Sequence, residues 1–400
     1  MARPQSHWTR EARRLLPALR AWRVAFHQEP ELSNEEARTR EKILRALGGL
    51  NIPARTFGED FHGVVGLIES DRSGPVVALR ADMDALPVLE ETHVPFESRS
   101  EGRMHACGHD VHMSCLLGAA ALLRRNRGRL RGPVKLIFQP AEEEGGRGGA
   151  LPLLERGAFE APRVDYVLGQ HVAPEIPLGA VGWKKGALMA SPDTFEIRVR
   201  GTPGHASTPH QGPDAVLASA EIVTGLQAMV SRVRNPVDPV VVSVGTIHGG
   251  TRHNVLPREV VLTGTVRTVD PKTRTRAEAW IRRRVRLIAA SLGASVQIRY
   301  QHGYPVLVND PEATQWVVDA LGHEFGKDRL VELQHPGMGG EDFARYLERV
   351  PGTFLRLGVG TPTMTASLHS PTFLPPESAL TLGTATLVTG ALALQEEGTR

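Results

Sequence analysis

The chain has little cysteine: two residues in 400. Two cysteines cannot build a disulfide framework, and their scarcity fits a reducing compartment, so a cytoplasmic protein is expected. It also lacks a charge excess, since 47 basic against 44 acidic residues leave a net +3. That balance argues against nucleic acid as a partner. The clustered Arg282, Arg283, Arg284 and Arg286 share their segment with Trp280, Ile281, Val285, Ile288 and Leu292. Most of these arginines therefore read as the solvated face of an amphipathic helix. No apolar run reaches bilayer-spanning length, which argues against a membrane partner. No apolar stretch follows Arg3, Arg10, Arg13 and Arg14 before Pro17, as a secretory leader would require. Repeats and low-complexity segments are missing too. A chain of 400 residues suggests two domains, or three.

What the chain does have is concentrated in Met104-His105-Ala106-Cys107-Gly108-His109-Asp110-Val111-His112. Thiolate and imidazole are the usual ligands of zinc and similar divalent metals. Cys107 and His109 stand two apart, so in an extended segment they would point to one side. Val111, Cys115, Leu116, Ala119, Leu122 and Leu123 then recur at helical spacing, which places the cluster at a loop-to-helix junction. The competing reading is a satisfied polar turn around a buried cysteine.

Other ligand-type residues sit at expected strand ends. A helix is expected over 9–26, and Ser33 is expected to cap a second helix with Glu35 and Glu36 in its first turn. Strands are expected at 63–68 and 76–80, the latter running into Ala81-Asp82-Met83-Asp84. Carboxylates there suit the carboxyl edge of an open α/β sheet, or equally a turn or cap. The strand expected at 133–139 ends in Pro140-Ala141-Glu142-Glu143-Glu144 and a glycine-rich loop. Adjacent carboxylates at a strand end suit metal binding by one and proton transfer by its neighbour. A strand over 164–170 is expected to end at His171. From about 187 to 302 the pattern changes to strand-helix-strand-strand-helix-strand, with strands at 194–200, 240–247 and 260–267 and helices at 213–231 and 273–292. This reads as a compact α+β unit inserted into the first domain. It carries His205, His210 and Asn254 in loops. The α/β pattern resumes with helices over 311–325 and 376–396, a strand over 353–358, and one more histidine, His369.

In their order along the chain these motifs resemble the M20 family of metallo-amidohydrolases. They are most similar to the branch of aminoacylases, hippurate hydrolases, N-acetyl-diaminopimelate deacetylases and plant auxin-conjugate hydrolases. The matching stretches lie at 27–32, 80–87, 104–112, 138–143, 204–210, 249–257, 264–268, 338–343 and 368–371. The resemblance implies an α/β catalytic domain with a mixed central sheet flanked by helices, formed by residues 1–186 and 303–400. It also implies an inserted ferredoxin-like α+β domain, 187–302, serving as lid and dimerisation surface. The implied metal ligands are Cys107, His109, Glu143, His171 and His369. Glu142 is implied as general base, and Asp84 as a support behind the ligands. His205 is implied as a group reaching the active site of the partner in a homodimer, or in a tetramer built from it. Asn254 is implied as a holder of the substrate carboxylate. The implied cofactors are two divalent ions, zinc or manganese, with cobalt or nickel also admitted. The implied reaction hydrolyses the amide of an N-acyl amino acid, a related amide or a small peptide by a metal-activated water. A non-catalytic metal- or peptide-binding relative is the alternative, and a hydrolase using Cys107 as nucleophile is a third reading. Here three glutamates follow Pro140-Ala141 where the family usually has two, so the base-and-ligand pair stands at 142–143 or at 143–144.

Overall fold

A computed structural model describes residues 7–399 apart from 233, 234, 236 and 237. Arg3 lies outside the described residues. The described chain forms two compact units. The larger takes the chain up to Gly186, Val308–His335 and the chain from Asp342. The smaller takes Ala187–Leu307 and Pro336–Glu341.

The larger unit is built on an eight-stranded mixed sheet. Its order is Ala54–Thr56, Val64–Ile68, Val134–Gln139, Val77–Asp82, Tyr166–Pro177, Gly352–Gly360, Val181–Trp183 and Leu330–Glu332. The inner strands Val134–Gln139, Val77–Asp82, Tyr166–Pro177 and Gly352–Gly360 run parallel. They are buried almost throughout, which is why they read as apolar runs and not as alternating ones. Helices His109–Arg125, Pro311–Phe325 and Ser378–Glu397 pack together against this sheet.

Four local readings change. The single helix expected over 9–26 is two, His7–Arg14 and Leu16–His27, because Pro17 has no amide to continue the first and must open the second. Ser33 does not cap the next helix: that helix starts at Ala37, and the Ser33 hydroxyl donates to Asp84 Oδ2 at 2.7 Å. The strand expected to stop at Gln170 continues through His171 to Pro177. Finally, Ser378–Glu397 is, by length and composition, apolar enough to cross a membrane, against the expectation that no such run exists. Of its most apolar window 83% is buried inside the fold, so its apolar surface belongs to the core.

The smaller unit has the order strand Ser191–Arg200, helix Ala215–Arg232, strands Val240–Gly249 and Glu259–Thr268, helix Pro271–Ser291, strand Ser295–Gln301. The four strands form an antiparallel sheet with Glu259–Thr268 and Ser191–Arg200 in the middle. Alternation along Ser191–Arg200 puts Phe195, Ile197 and Val199 against both helices. This is the ferredoxin-like βαββαβ arrangement.

Candidate metal centre

Strand register sets where the site lies. Asp82 and Gln139 are partners at the carboxyl ends of two parallel strands, and Arg80 is paired with Gly169 on the next one. His171, two residues on from Gly169, therefore emerges at the same sheet edge, where open α/β sheets place their sites.

Cys107 sits in a turn at the loop-to-helix junction, so the same-side placement that an extended segment would give does not apply. Gly108, at φ 81°, caps the helix that begins with His109. A Cβ there would also lie 2.6 Å from Val172 Cγ2, so glycine alone fits this junction. The turn leaves both Cys107 and His109 buried.

Hydrogen bonds fix the state of each imidazole. His109 Nδ1 donates to the Asp84 carbonyl at 2.8 Å, so in the neutral ring Nε2 presents a lone pair. That Nε2 is buried and has no hydrogen-bond partner. It lies 3.9 Å from Glu143 Oε1 and 3.7 Å from Asp82 Oδ2. His171 Nδ1 donates to the Val172 carbonyl at 2.8 Å, and its Nε2 stands 3.3 Å from Cys107 Sγ. Pinning one ring nitrogen so that the other presents a lone pair is how metal-binding histidines are oriented. His369 Nε2 lies 3.2 Å from Glu143 Oε1 and is about half exposed, so this side of the site meets solvent. Ligand-type atoms of Cys107, Glu143 and His369 gather within 4.8 Å of one another, as do those of His109, Glu142 and Glu143. The donor set, with an orphaned buried imidazole nitrogen facing carboxylates, fits divalent metal.

The glutamate run is placed by its backbone. Glu143 N–H donates to Asp84 Oδ2 at 2.9 Å, so Asp84 grips this loop as well as His109. Gly149 closes the loop against Pro140, whose carbonyl a Cβ at 149 would meet at 1.7 Å. Glu142 is buried, Glu143 partly so, and Glu144 points to solvent.

Asp82 and His112 join His109 and His171 in a further buried cluster that the sequence-based ligand set leaves out. Their atoms are already committed. Asp82 accepts from His112 Nδ1 and from Arg80 Nη1, both at 2.6 Å, and His112 Nε2 accepts the Val172 amide at 2.9 Å. Arg80 in turn reaches Gln139 and Asp342 at 2.9 Å each. An arginine inside an apolar strand was the available signal for this support. On the far side, Asp110 holds Arg23 at 3.1 Å and His27 at 2.9 Å, and His27 also meets Glu90 at 3.0 Å.

Charge follows this geometry. Burial opposes protonation of His109, but Asp82 and Asp84 outweigh it and raise the ring to about 10. Burial, then Glu143 and Glu142, push the Cys107 thiol well up. Burial, with His112 and Arg356 nearby, pushes His171 well down. A cation among these groups would favour the thiolate and the neutral imidazole, as metal binding does generally.

His205 and Asn254 belong to the smaller unit and lie close together. Gly204–His205 pairs with Val255–Leu256, and the Ala206 amide donates to the Asn254 carbonyl at 3.1 Å. His205 is exposed, and its Nδ1 accepts from the Ser207 amide at 3.1 Å. The ring proton is therefore on Nε2.

Comparison with known proteins identifies the relationship. Residues 78–392 match the model of peptidase family M20/M25/M40. The chain belongs to that family. Over 364 residues it is 40% identical to thermostable carboxypeptidase 1 of Saccharolobus solfataricus, covering 90% of this chain and 91% of that one. It is 39% identical over 355 residues to N-acetyl-L-cysteine deacetylase of Bacillus subtilis, covering 89% and 83%. A solved Bacillus subtilis dinuclear metal-binding peptidase of the M20 family superposes with a TM-score of 0.85 at 35% identity, covering 96% of this chain and 99% of that chain. This M20 protein is a metal-dependent hydrolase of amide bonds.

Proposed function

We propose that this M20 enzyme cleaves N-acyl amino acids, or small peptides with the same acyl–amino acid linkage, to a carboxylic acid and a free amino acid. The observation that carries this reading is the buried Glu142 carboxyl within 4.8 Å of the ligand-type atoms of His109 and Glu143. It supports a proton acceptor acting beside the metal donors. Cys107, His109, Glu143, His171 and His369 would hold two ions, zinc or manganese, with cobalt or nickel as substitutes. Such ions, when bound, polarise the amide carbonyl and lower the pKa of a water. Glu142 takes the proton of the attacking water and returns it to the leaving nitrogen. Exposure of Glu144 supports this register over one shifted by a residue. Asp84 keeps His109 and Glu143 in place. His205 donates a hydrogen bond from its Nε2–H to the carbonyl oxygen as negative charge develops there, and Asn254 holds the substrate carboxylate.

The smaller unit would act as lid and dimer contact, so that His205 and Asn254 serve the site of the neighbouring protomer. Its edge strand Val240–Gly249 supports this reading, with Val241 and Ile247 exposed, as do the exposed Val216 and Leu217 on the Ala215–Arg232 helix. A cytoplasmic location is supported by the two free, buried cysteines. The raised thiol of Cys107 opposes its use as a nucleophile, which needs a lowered pKa.

The test is a screen of N-acetyl, N-benzoyl and indole-acyl amino acids and of dipeptides, with purified protein under defined metals. Activity is expected to vanish with a chelator and return with Mn²⁺, Zn²⁺ or Co²⁺. Full activity in metal-free protein, abolished by thiol alkylation, would transfer the chemistry to Cys107. Failure to cleave any of these amides with any metal would place the substrate outside N-acyl amino acids and dipeptides.

A further inference from the structure

We propose that Glu36 is a positioning residue for the Glu142–Glu143 pair: its buried carboxyl holds the Ala141 amide, and with it the left-handed turn that aims both glutamates. This rests on the reading of Glu142 as base and Glu143 as ligand.

The turn needs holding. Ala141 has φ 54°, a conformation that disfavours an L-residue by about tenfold in population. Its amide donates to Glu36 Oε1 at 2.8 Å. On either side the loop has other anchors: Gly149 lies close against the Pro140 carbonyl, and the Glu143 amide is bound by Asp84. Between them, Glu36 is the anchor at the strained residue itself.

Among the described residues Glu36 has no charged partner that would account for its burial. It is fully buried, a costly place for a carboxyl. It stands at the N-terminus of the Ala37–Gly49 helix, yet its side chain makes no cap bond there. Oε2 has no hydrogen-bond partner, and besides the Ala141 amide the carboxyl meets only the backbone of Glu36 itself and of Asn34. Burial, then the Asp84 charge, push its pKa up to about 8, and toward Ala141 the carboxyl acts as an acceptor. A glutamine can supply that acceptor equally well.

The experiment compares wild type with E36Q, E36A, E36M and E36A/A141G. Co²⁺ titration gives metal affinity, and N-acetyl-L-cysteine is the probe for kcat and KM. E36Q is expected to bind Co²⁺ like wild type. E36A and E36M should bind it about tenfold more weakly and lose about tenfold in kcat with KM little changed. Glycine adopts positive φ at no steric cost, so A141G should restore most of the loss in the E36A background. E36M fills the volume that truncation empties, and so separates loss of the acceptor from collapse of the core. Wild-type Co²⁺ affinity in E36A and E36M overturns the proposal, and so does a loss that A141G leaves unrepaired. An E142Q control separates the two readings. If E142Q keeps full kcat the general-base assignment fails, while the Co²⁺ series still decides the role of Glu36.

Discussion

The Val172 amide donates to His112 Nε2 across 2.9 Å, and His112 Nδ1 donates to Asp82 at 2.6 Å. Both ring nitrogens are thus used by protein, and burial keeps the ring neutral by pushing its pKa down. His171 on the same sheet edge has only Nδ1 committed to backbone. The two histidines lie in one buried cluster and differ in how many ring nitrogens the backbone and carboxylates claim.

His112→Gln should therefore still take up two ions per subunit at saturating metal, with affinity or activity lower by about 10–100-fold, the usual scale for groups behind a ligand. His171→Gln should bind fewer ions. Elemental analysis of metal-saturated, desalted protein measures both, and equal loss in the two variants would make His112 a ligand.

Glu142→Gln should retain metal and lower kcat by about 10²–10⁴-fold, the range for removal of a general acid–base group. Glu143→Gln should lower metal occupancy. If Glu144→Gln produced either effect, the register argued from its exposure would be wrong.

His205→Ala should lower kcat with metal content intact, because its Nε2 proton is lost and no proposed ligand is touched. Co-expression with Glu142→Gln protein should restore part of the activity, since some mixed dimers would hold one site with both groups. Verified heterodimers without recovery would confine His205 to its own chain.

His27 links the motif to pH. Burial lowers its pKa, but Asp110 and Glu90 more than reverse this and bring it from 6.5 to about 9. Between those values the folded protein keeps a proton that the unfolded chain has released. The contribution is full below pH 6.5 and is lost as pH rises through about 9. Denaturant unfolding should show wild type losing about 3 kcal/mol more than His27→Gln over that window. Parallel stability–pH curves would refute the linkage.

The candidate site was marked in the sequence by the density of ligand-type residues around Cys107 and by those that follow apolar runs, Glu143 and His171. The fold brings these positions together. The ferredoxin-like unit was legible because its strands alternate. What stayed hidden depends on pairing across long sequence distances. Ser33 has the residue type and position of a helix cap, and only the fold shows it bound to Asp84. Glu36 looks like first-turn acid, yet it lies under Ala141. Arg80 and Asp342 are 262 positions apart in sequence and 2.9 Å apart in space. No local period encodes such meetings, whereas Pro17 did carry a local signal that the helical stripe around it obscured.

The Gly352–Gly360 strand lies between Tyr166–Pro177 and Val181–Trp183, but comes from the chain after the whole βαββαβ unit. On the ribosome the large sheet is therefore delivered with a slot in it. Two apolar strand edges flank that slot, and the helix that covers the core, Ser378–Glu397, is made later still. Until then the nascent chain presents open hydrogen-bonding edges that any neighbouring strand can occupy. Polysomes translating this chain at high density are the setting in which one copy would fill the slot of another.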